Sequence, residues 1–178
     1  SAPSGSINEK GDTPRAPGDQ QLPYTMQLGS GTWDFPLSMY YYNEQNADHW
    51  GLNLQAKVRT GKNSRDYRTG DRISLGGWWR GATTSRFQPI VKLGYHFSGR
   101  IHGQDETLLV PGDFPYPAAI TDPDNFGGKT VNLSLGILFS PKKTDKMRKY
   151  GLSFEVGKPL YQSLNGIQLK QHLQVSMQ

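Results

Sequence analysis

The feature that most constrains the fold is an unbroken alternation of apolar and polar residues in the stretch WGLNLQAKVR, residues 50–59. Four apolar residues alternate with amides and cations: Leu52, Leu54, Ala56 and Val58 against Asn53, Gln55, Lys57 and Arg59. A period of two places these two sets on opposite faces of a β-strand. The pattern therefore predicts a sheet with a different environment on each side.

The same alternation recurs along the chain and predicts about seven strands. They cover residues 33–42, 50–59, 71–80, 91–102, 131–139, 151–160 and 168–178. The composition agrees, because 21 glycines, 12 prolines and 11% aromatic residues suit short strands and turns better than helices. Residues 1–23 contain little that can be buried, so we expect a disordered arm or a loop there, with the strands confined to residues 24–178.

Clean alternation suits either a soluble β-sandwich or a transmembrane β-barrel with lipid outside and water inside. Three observations favour an antiparallel transmembrane β-barrel. Cations lie on the polar face, tryptophans and tyrosines lie near strand ends, and short and long connections alternate so that 61–69, 103–127 and the arm share one side. The residues predicted to face lipid are Leu52, Leu54, Val58, Leu93, Phe97, Leu133, Leu135 and Ile137.

The polar face is then predicted to line a lumen. Its candidate selectivity residues are Lys57, Arg59, Arg80, Lys92, His96, Arg100, Lys170 and His172. Arg72 lies on the same predicted face, and Asp34 and Glu155 are the acids there. An excess of cations would favour anions in the lumen, whereas pairing of these cations with acids elsewhere would cancel that preference.

Other chemistry is less well supported by the sequence. His96, His102 and His172 could share one face, but their spacing lacks a metal-ligand motif and also suits hydrogen-bonded wall residues. Asp122, Asp124 and Asn125 could offer oxygens to calcium, although their sequence is also typical of a turn. With no cysteine and no nucleophile elbow around Ser98 or Ser134, we expect no enzyme, metal or cofactor.

The net charge of +5 permits an acidic partner, but the cations are spread along strands. The densest group, between Lys142 and Lys149, falls in a predicted turn. A nucleic-acid binder usually clusters its cations with stacking aromatics or a recognition helix, so we expect no nucleic-acid partner.

Five blocks resemble a known family, in the family's order. They are MQLGSGTWD (Met26–Asp34), Trp50-Gly51, YRTGDR (Tyr67–Arg72), TDPDNFGGK (Thr121–Lys129) and GLSFEVGKPLYQSLNGIQL (Gly151–Leu169). The chain is similar here to the C-terminal half of the outer-membrane β-barrel transporters of the "MetA-pathway of phenol degradation" type. The resemblance implies a bacterial outer-membrane channel, with the lipid bilayer and small solutes as its partners.

The sequence thus predicts diffusive passage of small organic or anionic solutes through a barrel, with residues 103–127 as an extracellular lid or plug. Seven strands leave two open sheet edges, so we expect either a missing N-terminal barrel half or several copies that pool their strands. The rival hypothesis is a soluble or surface-attached β-sandwich, or an assembly subunit, that binds a partner through its basic face. These two differ in whether the apolar face meets lipid or a second sheet.

Overall fold

A computed structural model describes residues 2–13, 16–43, 48–82, 86–140 and 151–177. The chain is all-β, and its strands pair antiparallel. Eleven strands are present among these residues. They are β1 (Lys10–Thr13), β2 (Ala16–Gln21), β3 (Trp33–Asn43), β4 (His49–Thr60), β5 (Tyr67–Arg68), β6 (Arg72–Arg80), β7 (Phe87–Ser98), β8 (His102–Gly103), β9 (Gly128–Phe139), β10 (Leu152–Leu164) and β11 (Gln174–Met177).

The main element is a seven-stranded sheet in the order β11-β10-β9-β7-β6-β4-β3. Each strand pairs with the next long strand along the chain, so the sheet is an up-and-down meander. One bulge occurs in β10 between Pro159 and Tyr161, where proline cannot donate to the ladder. Among the described residues, β3 and β11 each pair with one neighbour and form the two edges.

No helix among the described residues is long and apolar enough to cross a membrane.

The seven predicted strands correspond to the seven strands of this sheet, but both ends of the fourth, the end of the sixth and the start of the seventh are wrong by four residues or more. The fourth predicted strand continues to residue 102, whereas β7 starts at Phe87 and ends at Ser98. The seventh predicted strand starts at residue 168, whereas β11 starts at Gln174. In both places the sequence alternates beyond the paired residues, and Gly99 makes a close turn against the neighbouring connection.

The predicted arm, residues 1–23, contains regular structure in its described part. Strands β1 and β2 form a two-stranded hairpin, and Ile7 is buried. The Gln27 side chain ties this hairpin to the following segment, because its amide accepts from the Glu9 N–H at 3.0 Å and donates to the Leu22 carbonyl at 2.7 Å. The expectation of a disordered arm or a loop in residues 1–23 did not include this hairpin, which contains too few apolar residues to signal a strand.

Long connections lie at one end of the sheet. The arm leads into β3, residues 61–71 join β4 to β6, and residues 99–127 join β7 to β9, all at this end. This confirms the prediction that these three segments share one side. We call these three segments, together with residues 24–32 between the arm and β3, the cap. The strand ends joined by the connections 44–48, 81–86 and 140–151 lie at the opposite end of the sheet. Parts of these connections, and all of the predicted basic turn at 142–149, lie outside the described residues.

The cap holds the main buried cluster of the described chain. It joins Tyr24, Tyr67, Ile101 and Leu108, with Phe126 packed against them. The Tyr24 ring contacts the Tyr67 and Phe126 rings edge-on, at centroid distances of 4.8 and 5.9 Å. Four short 3-10 helices lie in the cap, at Tyr24–Met26, Glu106–Leu108, Ala119–Thr121 and Pro123–Asn125.

Glycines let the cap connections approach one another closely. A Cβ on Gly70 would lie 2.2 Å from the Gly99 carbonyl oxygen, and a Cβ on Gly127 would lie 2.4 Å from that same oxygen. Gly127 also has a φ of 81°, which other residues rarely adopt. The connection 61–71 and the two ends of the connection 99–127 therefore meet backbone to backbone at this end of the sheet.

Candidate functional site

The apolar face of the seven-stranded sheet is not covered by any described part of the chain. Large side chains on it remain exposed in the middle of their strands, including Leu37 at 61%, Leu52 at 50% and Leu135 at 55%. All eight residues predicted to face lipid lie on this face by strand register. A second sheet against this face, as a β-sandwich requires, is absent among the described residues.

Aromatic side chains lie toward both ends of this apolar face. Near the end opposite the cap, the Tyr41 and Trp50 rings are 5.4 Å apart, and the Phe87 and Phe139 rings are 5.2 Å apart. Toward the cap end lie Trp33, Phe35, Phe97 and Tyr161. The apolar face is therefore bounded by aromatic residues in the direction of the strands.

The opposite, polar face carries ion pairs and small residues. Arg59 is buried, with 6% of its side chain exposed, and its Nε donates to Asp34 Oδ2 at 3.3 Å. Its guanidinium also donates to the Gly70 carbonyl, and its backbone N–H donates to Asp71 Oδ1 at 2.8 Å. Arg59 thus joins β4 to β3 and to the connection before β6, so its charge is neutralised inside the protein.

Two further predicted selectivity cations also pair with acids of this chain. Lys92 Nζ donates to Glu155 Oε1 at 2.7 Å, and the Glu155 side chain is 11% exposed. Arg100 Nη1 donates to Asp124 Oδ1 at 3.2 Å, and both of these side chains are mostly exposed. Arg59, Lys92 and Arg100 are therefore each paired with an acid of this chain: the first two with Asp34 and Glu155 on the polar face itself, and Arg100 with an acid of the cap.

Three predicted lumen residues are not on strands of the sheet, and their placement on the polar face was wrong. Arg100 follows the end of β7 and lies in the cap. Lys170 and His172 lie in the connection before β11. His102, weighed as a companion of His96, instead belongs to β8, which pairs with β5 inside the cap. The alternation around these residues did not continue into strand pairing.

The remaining cations of the polar face stand beside a cavity of about 990 Å³ between the sheet and the cap. Lys57 on β4 is directly opposite Arg72 on β6, and both line this cavity. Among the described residues, neither forms an ion pair. Next to them, Ser74 Oγ and His96 Nδ1 share a hydrogen bond of 2.9 Å.

Arg80, the last predicted lumen cation, lies near the opposite end of the polar face. It is directly opposite His49 on β4 and Ile90 on β7. Its Nε is buried and has no hydrogen-bond partner among the described residues. Arg80 is thus separated along β6 from the Lys57 and Arg72 pair.

The oxygens of the TDPDN turn are engaged by the protein. Asp122 accepts from the Asp124 N–H at 2.9 Å and caps the 3-10 helix Pro123–Asn125. Asn125 Oδ1 accepts from the Ile167 N–H at 2.8 Å, which ties the turn to the connection after β10. Among the described residues, no group of three or more His, Cys, Asp or Glu side chains is arranged to hold a metal ion.

The cap is held over the cavity by a buried polar network. Arg65 Nη1 donates to Asp105 Oδ2 at 3.0 Å, and Arg65 Nε donates to Asn8 Oδ1 at 2.8 Å. The Asp105 N–H donates to Tyr24 Oη at 3.0 Å. Burial is the main reason that the pKa of Tyr24 rises from its ordinary value of 10 to about 12, and burial also raises the pKa of Tyr67.

Reasoning from the sequence missed the polar network of Arg65, Asp105 and Tyr24 in the cap. It also missed that Lys57 lies directly opposite Arg72 on the neighbouring strand. Aromatic residues in otherwise polar connections, such as Tyr24 and Tyr67, were the available signal for a buried cluster. Arg72 was placed on the correct face, but its position opposite Lys57 depends on the register of β4 and β6.

Comparisons with protein-family models, curated proteins and solved structures find no match to this chain.

Proposed function

We propose that this chain is a portion of an outer-membrane β-barrel channel, with its apolar face toward lipid and its polar face toward a water-filled lumen. The uncovered apolar face carries this proposal. A meander of long antiparallel strands with large, exposed apolar residues on one side would be a serious aggregation hazard in water. In a bilayer the same face is matched to its surroundings.

The dimensions of the apolar face support a membrane span. On β7 it extends from Phe87 to Phe97, ten residue steps, which is about 33 Å at 3.3 Å per residue. A strand tilted by about 40° covers about 25 Å of bilayer thickness over that length, which is the height of the apolar band of such barrels. The aromatic residues toward both ends would then lie at the two interfaces.

The polar face and the cap suit a channel lumen with one constricted mouth. The cap connections interlock through Arg65, Asp105 and Tyr24, so they would form a plug or a lid on the extracellular side. Solutes would pass by diffusion, and Lys57 and Arg72, which form no ion pair within the described ranges, would favour anions. The edges β3 and β11 would be closed by further strands, from the same protein or from other copies.

The resemblance to outer-membrane transporters of the phenol-degradation type agrees with this proposal, and it rests on the sequence blocks alone. The rival is a soluble or surface β-sheet protein whose apolar face is covered by a partner. An assembly subunit of that kind would also use the open edges β3 and β11. The two proposals differ in whether the protein enters membranes.

Membrane extraction and heat modifiability test the proposal. The protein is expressed in a Gram-negative host, and the membrane and soluble fractions are separated. The detergent-solubilised band is then run on a gel with and without boiling. A membrane-bound band that migrates differently after boiling is expected for a folded barrel, and planar-bilayer conductance should follow. A soluble protein whose migration is insensitive to heat would refute the channel.

A further inference from the structure

We infer that Lys57 and Arg72 form a binding site for the carboxylate of a small organic acid. The inference deepens the proposed function, since it names the class of solute that the lumen holds, and it rests on that function for the path by which the acid arrives. The juxtaposition of these two cations on neighbouring strands is the starting observation.

The two cations face each other, and no acid in the described part of the chain forms an ion pair with either of them. Directly opposed residues on one face of an antiparallel pair have Cβ atoms about 5 Å apart, and like charges there are destabilising. Elsewhere in the described chain, Arg59, Arg65, Lys92 and Arg100 each have a carboxylate partner. An anion bound between Lys57 and Arg72 would remove the repulsion that the fold retains at this place.

The groups around the pair are donors and neutral residues. Ser98 is directly opposite Arg72, and Ser74 and His96 occupy the adjacent row of the same face. Asp34 is the acid that lines the cavity, and it is held by Arg59 and accepts from Thr32 Oγ1 at 2.9 Å. The charge near the site is therefore positive, and a planar guanidinium beside an ammonium suits a carboxylate.

The cavity indicates that the acid has an apolar body. Its volume of about 990 Å³ is far larger than an inorganic anion needs. Tyr24, Phe126 and Leu164 from the cap side line the same cavity as the two cations. An organic acid can place its carboxylate against the two cations and its hydrocarbon part against these three side chains, whereas inorganic phosphate would leave these side chains exposed to water.

Binding of hexanoate to the purified protein in detergent, measured by isothermal titration calorimetry, tests this site. Hexanamide, of the same shape without the charge, is the matched ligand control. We expect hexanoate to bind more tightly than both hexanamide and inorganic phosphate. Arg72→Gln and Lys57→Gln should each weaken hexanoate binding by about tenfold or more, because each removes a charged hydrogen bond.

Lys62→Gln is the matched protein control, since Lys62 is exposed in the connection after β4 and does not line the cavity. It makes the same change in net charge and should leave hexanoate affinity within about twofold. Folding is checked by heat modifiability and by thermal unfolding without ligand. Both cavity variants should unfold at the same temperature as the wild type or higher, because each removes one of two facing like charges.

The outcomes separate this inference from the channel proposal. A heat-modifiable membrane protein that binds hexanamide as well as hexanoate would overturn the site and leave the channel standing. Equal weakening by Lys62→Gln and Arg72→Gln would also overturn it, since net charge alone would then explain binding. A protein that is soluble and binds hexanoate through Arg72 would keep the site and refute the channel.

Discussion

The two faces of the seven-stranded sheet differ in whether the chain itself provides partners for their side chains. On the apolar face, large residues such as Leu37, Leu52 and Leu135 are half exposed, and no described element covers them. On the polar face, Arg59 with Asp34 and Lys92 with Glu155 are paired within the chain, and the cap closes one end. The chain itself therefore pairs several charges of the polar face, though not those of Lys57 and Arg72 among the described residues, while no described element covers the apolar face.

This difference indicates where the stability of the molecule comes from. The buried cluster lies in the cap and not in the sheet, so the strands lack the ordinary core of a soluble β-protein. Backbone pairing and internal ion pairs hold the described sheet together, and under the proposed function burial of the apolar face against lipid adds to them. Substitutions that act on one face only can separate these contributions.

The largest effect is expected at the buried ion pair of the polar face. Arg59→Met removes the guanidinium that donates to the buried Asp34 carboxylate, which should cost about 3 to 5 kcal/mol in the free energy of unfolding. Urea denaturation of the purified protein measures the change. Arg100→Met is the matched control, because its pair with Asp124 is exposed and should contribute at most about 1 kcal/mol.

A second substitution at the same pair separates its charge from its packing. If the loss at Arg59 comes from the buried charge of Asp34, Asp34→Leu combined with Arg59→Met should recover most of it. No recovery in the double variant would mean that Arg59 stabilises the sheet mainly through Gly70 and Asp71.

The next effect compares the two faces directly at adjacent residues. Leu54→Arg places a cation on the apolar face in the middle of β4, and it should cost about 2 to 4 kcal/mol if that face meets lipid. Gln55→Arg adds the same side chain on the polar face, where Gln55 is exposed, and should be tolerated. Folding in lipid vesicles, followed by urea titration, measures both. Equal tolerance at the two sites would argue against a lipid-facing surface.

The cap over the polar face should respond to alkaline pH through Tyr24. Its pKa is about 12 in the folded protein and about 10 once exposed, so the neutral form is favoured by folding. The stabilisation is complete below pH 10 and is lost as the pH rises toward 12, by at most about 3 kcal/mol. Protease cleavage within 99–127 should increase over this range, in parallel with tyrosinate absorbance.

Tyr24→Phe is the control for that titration. It removes the ionisable hydroxyl, and with it the acceptor for the Asp105 N–H. The variant should start with a less stable cap at neutral pH but lose less stability between pH 10 and 12. An unchanged alkaline transition in the variant would assign the effect to other tyrosines.

The strands were predictable from the sequence because side-chain alternation is local. The apolar and polar faces follow from that period, and all eight residues assigned to the apolar face lie on it. The ends of the fourth and seventh strands were not predictable in this way. Ile101 continues the alternation but is buried in the cap, and Leu169 continues it but is 99% exposed in a connection.

The partners on the polar face could not be read from the sequence, because they depend on register. Arg59 with Asp34 and Lys92 with Glu155 join residues 25 and 63 positions apart. Lys57 lies directly opposite Arg72 because the eleven-residue connection 61–71 sets the register between β4 and β6. Alternation gives the face of each cation, while the pairing of strands decides whether an acid or another cation stands opposite.

The smallest effect compares two glycines, one on each face. A Cβ on Gly136 would lie 2.5 Å from Glu155 Cγ and 2.7 Å from the Phe154 carbonyl oxygen, so backbone must move. Gly136→Ala should cost about 1 to 3 kcal/mol. On the apolar face, a Cβ on Gly77 meets the flexible end of Leu52 at 3.3 Å, so Gly77→Ala should be neutral or stabilise by up to about 1 kcal/mol. Urea denaturation of both variants in the same detergent would show whether close packing is confined to the polar face. A larger loss in the free energy of unfolding for Gly77→Ala than for Gly136→Ala would contradict that assignment.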